Sequence, residues 1–248
     1  MRQRRLPCIR GRKSKHAESL DTPMHSRANS KIPELLRQNH CGSGERLSLD
    51  CLKRVAMHCQ ACELWKNATQ TVFGEGLPGA RMMFVGEQPG DQEDRGGRPF
   101  VGPAGRILQD AMHAAGIDPS DVYLTNVVKH FRWDRAQRGK RRIHKKPRQS
   151  EIDACRPWLD AELKTLRPEI LVCLGATAAK ALLGRAFSIR RQRGQLVESP
   201  LAAYTLATAH PSVILRAQDT KSRHAAMRAF VADLRIVRRL FTKLHSNA

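Results

Sequence analysis

Short apolar runs alternate with amphipathic segments along most of the chain. Four of the apolar runs are typical of buried strands: RMMFVG (81–86), DVYLTNVV (121–128), EILVCLG (169–175) and YTLATAHP (204–211). Apolar residues at helical spacing predict helices at LSLDCLKRVAMHC (47–59), GRILQDAMHAAG (105–116), SEIDACRPWLDAELKTL (150–166) and ATAAKALLG (176–184). The alternation of strands and helices predicts an α/β fold, a three-layer αβα sandwich with a mainly parallel four-stranded central sheet.

The amino-terminal segment lacks this pattern. Its residues are polar and basic, with serine, asparagine, glycine and proline throughout, and such a composition buries too little apolar surface to fold. We therefore predict a disordered basic arm over residues 1–45 and one folded domain over residues 46–248. Met24 and Met57 leave a later start of translation open as an alternative.

The positive charge is concentrated in two segments. The formal net charge is +21, and most of it comes from residues 1–40 and 129–148. Concentrated positive charge favours a polyanion through counterion release, so nucleic acid is the leading candidate partner. No apolar stretch approaches the roughly 18–20 residues that span a bilayer, and the amino terminus lacks the apolar core of a signal peptide. We expect a cytoplasmic or nucleoid location and no membrane partner.

Three polar loops follow the carboxyl ends of predicted strands. They are GEQPGD (86–91), TNVVKH (125–130) and AHPS (209–212). In open α/β sheets, ligands bind beyond the carboxyl ends of the strands, so these loops are expected to form one site. The glycine- and proline-rich stretch 86–106 permits close approach of its backbone to a ligand, and it carries neither a Walker nor a Rossmann signature.

Four side chains in these loops suggest a chemistry. Phe100 suits stacking on a planar ring. The amide of Asn126 both donates and accepts, which matches the edge of uracil and mismatches the amino group of cytosine. His210 can donate a hydrogen bond to an anionic leaving group, and Glu87 can orient a nucleophile or stabilise positive charge. Taken singly, each residue also has an ordinary structural interpretation.

The stretch KRRIHKKPR (140–148) places one imidazole, His144, in a run of basic residues. Three interpretations are open: a solvated phosphate-binding loop, a targeting signal, or a loop that directs the imidazole at a ligand. The cysteines leave a similar choice. Cys59 and Cys62 form a C-x-x-C pair, which in a reducing compartment indicates a metal or redox site rather than a disulfide framework.

Six motifs occur in the order found in the uracil-DNA glycosylase superfamily. They are GEQPGDQEDRGGRPFVGPAG, TNVVKHF, KRRIH, ACRPWL, LGATAAKALLG and AHPS. The chain resembles the iron–sulfur, family 4-like branch over roughly residues 51–243, and within it the UdgX-type proteins, which cross-link to uracil-containing DNA. KRRIH is the most discriminating motif, because ordinary family 4 enzymes lack that loop.

The resemblance implies a role for each matching residue. Phe100 would stack on a flipped uracil, Asn126 would bind its edge, and Gly86, Gln88 and Asp91 would line the pocket. His210 would stabilise the departing uracil anion, Glu87 would lie next to the sugar, and His144 would attack C1′ of the deoxyribose. Ile143 would anchor the loop in the domain. The neighbouring cations would hold the flanking phosphates: Lys140, Arg141, Arg142, Lys145 and Lys146.

The resemblance also implies a cofactor. Cys59, Cys62 and Cys155 match three cluster-ligand positions of the iron–sulfur branch, and His130 takes the position of the fourth, as in UdgX-type proteins. We therefore expect a [4Fe–4S] cluster with a structural role, while the same donors would also satisfy a structural zinc site.

Three functional hypotheses follow. The main hypothesis is a uracil-DNA glycosylase that excises uracil and stays covalently attached to the DNA through His144 after a single turnover. The second is a conventional iron–sulfur uracil-DNA glycosylase that turns over, and the third is a non-enzymatic, zinc-containing nucleic-acid-binding module. We expect a monomer whose partner is uracil-containing DNA, preferably single-stranded, because a flipped base is easier to present from a single strand.

Overall fold

A computed structural model of the protein describes residues 48–137, 139 and 141–246. The predicted basic arm and Lys140 lie outside the described residues. The seven strands of the described part are β1 (Met82–Gly86), β2 (Val122–Asn126), β3 (Trp133–Arg135), β4 (Arg142–His144), β5 (Ile170–Leu174), β6 (Leu196–Val197) and β7 (Tyr204–Thr208).

The same part of the chain forms eight α-helices and two short 3-10 turns (Glu63–Lys66 and Pro119–Asp121). The helices are α1 (Leu49–Ala56), α2 (Asp91–Gly96), α3 (Pro103–Ala115), α4 (Gln149–Leu166), α5 (Ala176–Leu183), α6 (Ile189–Gln192), α7 (Pro211–Leu215) and α8 (Thr220–His245). None of these helices combines the length and apolar character needed to cross a membrane.

The central sheet has the strand order β2-β1-β5-β7-β6. Its first four strands run parallel and correspond to the four predicted strands, which confirms the mainly parallel sheet. The fifth strand, β6, pairs antiparallel with β7 at the edge. Sequence analysis missed β6 because two residues are too few to give a periodic signal.

Helices cover both faces of the sheet. Alternate residues of β1 point to opposite sides, as the pleat of a strand requires. Met83 packs in the core that includes Trp158 of α4, and Phe84 packs in the core that includes Leu108 of α3 and Phe230 of α8. All five residues of β1 and of β5 are buried, which explains why these strands are continuously apolar. The predicted three-layer α/β architecture is confirmed.

The basic stretch forms an antiparallel ribbon outside the main sheet. Its strands are β3 and β4, with Trp133 opposite His144 and Arg135 opposite Arg142. The expected anchoring role of Ile143 is wrong, because this side chain is 43% exposed. Successive side chains of a strand point to opposite faces, so Arg142 and His144 share one face of the ribbon and Ile143 lies on the other.

Candidate active site

The carboxyl ends of three parallel strands bring the three predicted loops to one edge of the sheet. Gly86, the last residue of β1, pairs in register with Asn126, the last residue of β2. The strand β7 ends at Thr208, and His210 follows as the N-cap of α7. The parallel topology therefore places GEQPGD, TNVVKH and AHPS side by side.

Gly86 separates an aromatic ring from an amide. Phe100 and Asn126 are both buried. A Cβ atom added to Gly86 would lie 2.3 Å from Oδ1 of Asn126 and 2.7 Å from Cζ of Phe100, so only glycine fits there. Phe100 has a φ of 56°, a backbone conformation that costs free energy for a non-glycine residue and often occurs at functional sites. The ring and the amide thus lie together, as uracil recognition requires.

The hydrogen bonds of His210 define its tautomer. Its Nδ1 accepts from the backbone N–H of Ser212 (3.2 Å) and lies 2.8 Å from the Ser212 hydroxyl. Because a backbone N–H only donates, Nδ1 carries no proton and the neutral ring is protonated at Nε2. Burial, with smaller contributions from Arg216 and His144, lowers the pKa of His210 to about 4. At neutral pH this residue is an uncharged donor, and the Phe100 ring centroid lies 6.3 Å away.

Glu87, the first residue after β1, is near enough to His144 for its charge to influence that imidazole. Its charge acts on His144 in the direction that raises the pKa, opposing a larger effect of desolvation. The hydroxyl of Thr177, in the first turn of α5, donates a short hydrogen bond to the Glu87 carboxylate. Sequence analysis missed Thr177, since ATAAKALLG carries only the pattern of a packed helix.

Gln88 holds the imidazole of His144. Its side-chain nitrogen lies 2.9 Å from Nε2 of His144 and donates to the carbonyl of Lys145 at 2.9 Å. The amide oxygen accepts from the backbone N–H of Arg132 at 3.3 Å, which fixes the orientation of the amide. Since the amide nitrogen only donates, Nε2 of His144 must accept, and its lone pair points at Gln88.

His144 is therefore a neutral imidazole with its proton on Nδ1. Its side chain reaches solvent, yet the surrounding protein desolvates the ring enough to lower its pKa below the ordinary value of 6.5. The charge of Arg216 lowers it further. A ring nitrogen without a proton is what nucleophilic attack by histidine requires.

Arg142 does not take the position expected of it, and its partners include Asp91. Arg142 was expected on a DNA phosphate, but its side chain is 9% exposed and pairs with Asp91 and with the fully buried Asp94. Its guanidinium also lies 5.3 Å from the ring centroid of Phe131 and 5.4 Å from that of Trp133. The side chain of Asp91 binds the ribbon, and the expectation that the backbone around Gly86–Asp91 lines the uracil pocket stays a prediction. Burial favours a higher pKa for Asp91, whereas its hydrogen bonds from arginine hold that pKa below its usual value.

The other predicted phosphate contacts remain exposed. Arg141 is exposed, and Lys145 forms an ion pair of 3.4 Å with Asp134 in which both side chains are about half exposed or more. An ion pair of this kind contributes little stability, so Lys145 can exchange its partner for a phosphate. Lys140 lies beyond the part of the chain that can be described.

A buried ion pair supports the end of β2. Lys129 and Glu162 are 1% and 0% exposed, and Nζ lies 2.5 Å from the carboxylate. The same ammonium donates to the Thr125 hydroxyl at 2.6 Å and to the Asn126 carbonyl at 2.8 Å. The sequence suggested only that Lys129 belongs to the basic segment, because a lysine carries no sequence signal for burial. Here its charge fixes the backbone that carries Asn126.

A second buried carboxylate, Glu93, closes the glycine-rich loop. It accepts from the backbone N–H of Gly90 at 3.0 Å and from that of Gly102 at 2.7 Å. These two glycines lie on either side of Phe100 in the sequence, so one side chain fixes the loop that presents the ring. Sequence analysis assigned no role to Glu93.

Three of the four predicted cluster ligands gather around α4. Trp158 Nε1 donates to the sulfur of Cys59 and the Lys129 backbone N–H donates to that of Cys155, each at 3.2 Å. Burial raises the pKa of Cys155 to about 12; Lys129 opposes this shift, and smaller contributions from Cys59 and Cys62 add to it, so the three thiols influence one another. Such N–H···S contacts are typical of cluster sulfurs, and the donor set fits an iron–sulfur group.

His130 is directed elsewhere in this structure. Its Nε2 lies 2.9 Å from the Thr71 hydroxyl, and burial lowers its pKa to about 4. Within the described ranges, no group of three or more histidine, cysteine, aspartate or glutamate side chains has the geometry to hold a metal ion. The three thiols thus lie near α4 without forming such a group, and the fourth expected ligand is hydrogen-bonded to a threonine.

Comparison with known proteins agrees with the fold and the loops. The profile of the Uracil DNA glycosylase superfamily matches residues 73–235. The chain belongs to this superfamily. The match runs from the segment before β1 into α8 and includes the three loops at the carboxyl edge of the sheet.

Several relatives within the superfamily carry the same description. A Type-4 uracil-DNA glycosylase of Thermotoga maritima is 36% identical over 170 residues, which cover 68% of this chain and 84% of the relative. Type-4 enzymes of Sulfurisphaera tokodaii (39% over 153 residues, 60% and 66% covered) and Archaeoglobus fulgidus (34% over 175 residues, 68% and 83% covered) are also similar. These relatives support the superfamily assignment; they do not distinguish the UdgX-type proteins from other members.

Proposed function

We propose that this protein is a uracil-DNA glycosylase that captures its substrate: it excises uracil from DNA and becomes linked to C1′ of the deoxyribose through His144. The observation that carries the proposal is the hydrogen bond between Gln88 and Nε2 of His144, which leaves this nitrogen without a proton. The negative charge of Glu87 acts on the same ring. A conventional glycosylase offers water at this position.

The first step breaks the bond between C1′ and N1 of uracil. The electron pair of this bond leaves with the base, while positive charge develops on the sugar. Phe100 and Asn126 would hold the base, and the Nε2–H of His210 would donate to the uracil anion. A neutral donor suits this role, because it stabilises the anion without protonating it prematurely. Glu87 would stabilise the positive charge on the sugar.

In the second step, the lone pair of Nε2 of His144 forms a bond to C1′, after Gln88 gives up its hydrogen bond. The ring then carries a positive charge, which it loses with the Nδ1 proton. Arg141 and Lys145, with Lys140, would bind the flanking phosphates. Arg142 would act differently, by fixing the ribbon to Asp91 and Asp94 so that the imidazole is positioned in advance.

Incubation with an oligonucleotide containing one deoxyuridine tests the proposal. We expect uracil release together with a heat-stable band of lower mobility on a denaturing gel, and an adduct mass equal to protein plus oligonucleotide minus uracil. His144→Ser should remove the adduct and gain turnover, since water can then reach C1′. His113→Ser, which changes an exposed histidine of α3, is the matched control. Uracil release with repeated turnover and no adduct in the wild type would support the conventional enzyme instead.

We further propose that Cys59, Cys62 and Cys155 bind a [4Fe–4S] cluster, with His130 as the fourth ligand once it leaves Thr71. The cluster would stabilise the fold between α1 and α4, apart from bond breaking. The purified protein should be brown and contain iron and sulfide in equal amounts. A colourless protein that contains zinc and releases no uracil would favour the nucleic-acid-binding module.

The DNA partner is expected to be single-stranded by preference, and the protein a monomer. Comparison of adduct formation on single-stranded and duplex oligonucleotides tests the first expectation, and sedimentation equilibrium tests the second.

A further inference from the structure

A basic cleft lies beside the candidate active site. It has a volume of about 470 Å³ and lies between the amino-terminal half of α4 and the helix α5. Its charged lining residues are Lys146, Asp153, Arg156, Lys180 and Arg185. Four cations thus face one carboxylate, and no role was assigned from the sequence to Arg156, Lys180 or Arg185.

The cations of the cleft differ in their partners. Arg156 is already engaged, because it donates to Asp160 and to the carbonyl of Ala181, each at 2.6 Å. Lys146, Lys180 and Arg185 are exposed, and none of the three side chains has a hydrogen bond or an ion pair to a described residue. These three cations are therefore available to an anion from outside the molecule.

Two residues that line the cleft connect it to the candidate active site. Thr177 lines the cleft and donates to Glu87 of the candidate active site. Lys146 also lines it, two residues after His144, and its carbonyl accepts from Arg132 at 2.5 Å. Both connections place the cleft on the side of the site that carries Glu87 and His144.

We propose that the cleft binds the phosphates of the DNA strand on one side of the extruded nucleotide. The inference rests on the proposed function, and it adds a defined path for the strand. Among the described residues that line the cleft, none is aromatic. Contact with the charged DNA backbone is therefore favoured over stacking of bases. Lys146, two residues after His144, would bind a phosphate next to the reacting sugar, and Lys180 and Arg185 would bind phosphates farther along the strand.

Binding of asymmetric oligonucleotides tests this path. Each oligonucleotide carries one 2′-fluoro-2′-deoxyuridine, because fluorine destabilises positive charge at C1′ and slows cleavage. One series extends only on the 5′ side of this nucleotide and the other only on the 3′ side. Dissociation constants are measured by fluorescence anisotropy at several salt concentrations. The proteins compared are the full-length wild type, Lys180→Gln/Arg185→Gln, and the control Lys164→Gln/Arg239→Gln, which removes equal charge from exposed positions outside the cleft.

For one series, we expect the wild type to bind more tightly as the extension grows. The cleft variant should lose this gain, and the slope of log K against log salt concentration should fall by about 1 to 2. The other series and the control variant should resemble the wild type. Equal losses in both series, equal losses in the control, or no loss at all would overturn the assignment.

Uracil release from a natural deoxyuridine oligonucleotide separates the two levels of the inference. If the wild type releases uracil while the cleft variant binds both series normally, only the cleft assignment is wrong. If the wild type releases no uracil, the proposed function fails, and the path of the strand fails with it.

Discussion

Replacement of Glu162 by glutamine would leave the charge of Lys129 buried without its counterion. The two side chains are almost fully excluded from solvent, and the glutamate also accepts from Tyr123, Thr125 and the backbone of Gly74. Removal of one partner of a buried ion pair costs about 3–5 kcal/mol, mostly because the remaining charge is uncompensated. Such a cost is a large fraction of the about 5–15 kcal/mol that stabilises a typical domain.

Thermal and urea denaturation, followed by circular dichroism, measure this cost. For a folded region of this size, about 3–5 kcal/mol corresponds to a fall in Tm of roughly 6–20 °C. The matched control is Glu63→Gln, which breaks an ion pair to Lys66 whose side chains are 80% and 54% exposed. That change should cost less than about 1 kcal/mol.

The double variant Lys129→Met/Glu162→Gln separates the uncompensated charge from the lost hydrogen bonds. It removes the charge from both positions, so it should recover part of the stability lost in the single variant. Our reasoning is refuted if Glu162→Gln loses no more stability than Glu63→Gln, or if the double variant is less stable than the single one.

Three further predictions concern the site. The rate of adduct formation should rise with pH through a pKa below 6.5 and be constant above pH 7. The reason is that only neutral His144 can react, and its lowered pKa makes it neutral at pH 7. A rate that still rises above pH 7 contradicts this. Gly86→Ala should slow uracil release at least about 100-fold, because its Cβ would displace the side chains of Asn126 and Phe100. The control Gly79→Ala meets no atom within 4 Å and should not slow release. Equal rates for the two variants would refute the steric argument. Arg142→Gln should lower the free energy of unfolding by about 2 kcal/mol, measured by denaturation, and slow adduct formation, measured on gels. Both effects should exceed those of the exposed control Arg190→Gln. Equal effects would show that Arg142 does not fix the ribbon.

The main sheet and the convergence of its loops could be predicted because they follow from local patterns and topology. Continuous apolar runs identify buried strands, and the parallel arrangement brings their carboxyl ends to one edge. Gly86, Asn126 and His210 could therefore be assigned to a common site before any side-chain position was known. Their residue types also limit the chemistry, since each offers a defined set of donors and acceptors.

The roles of several charged residues could not be predicted, because they depend on partners far along the chain. Lys129 and Glu162 are separated by 33 residues, and Arg142 and Asp94 by 48. A basic run gives no indication that one of its arginines points inward, and the inward direction follows from the alternation of side chains along β4. The tautomers of His144 and His210 likewise depend on neighbours that only the folded chain brings together.

The ribbon of β3 and β4 carries His144 apart from the sheet that carries Gly86 and Asn126. The ribbon shares no strand pairing with the central sheet among the described residues. Its length can therefore change without altering the register of the strands that carry Gly86 and Asn126. A related glycosylase that lacks this ribbon could receive it by transplantation, provided that carboxylates equivalent to Asp91 and Asp94 are supplied for its arginine. The choice between releasing and retaining the DNA would then be a property of one transferable hairpin rather than of the whole fold.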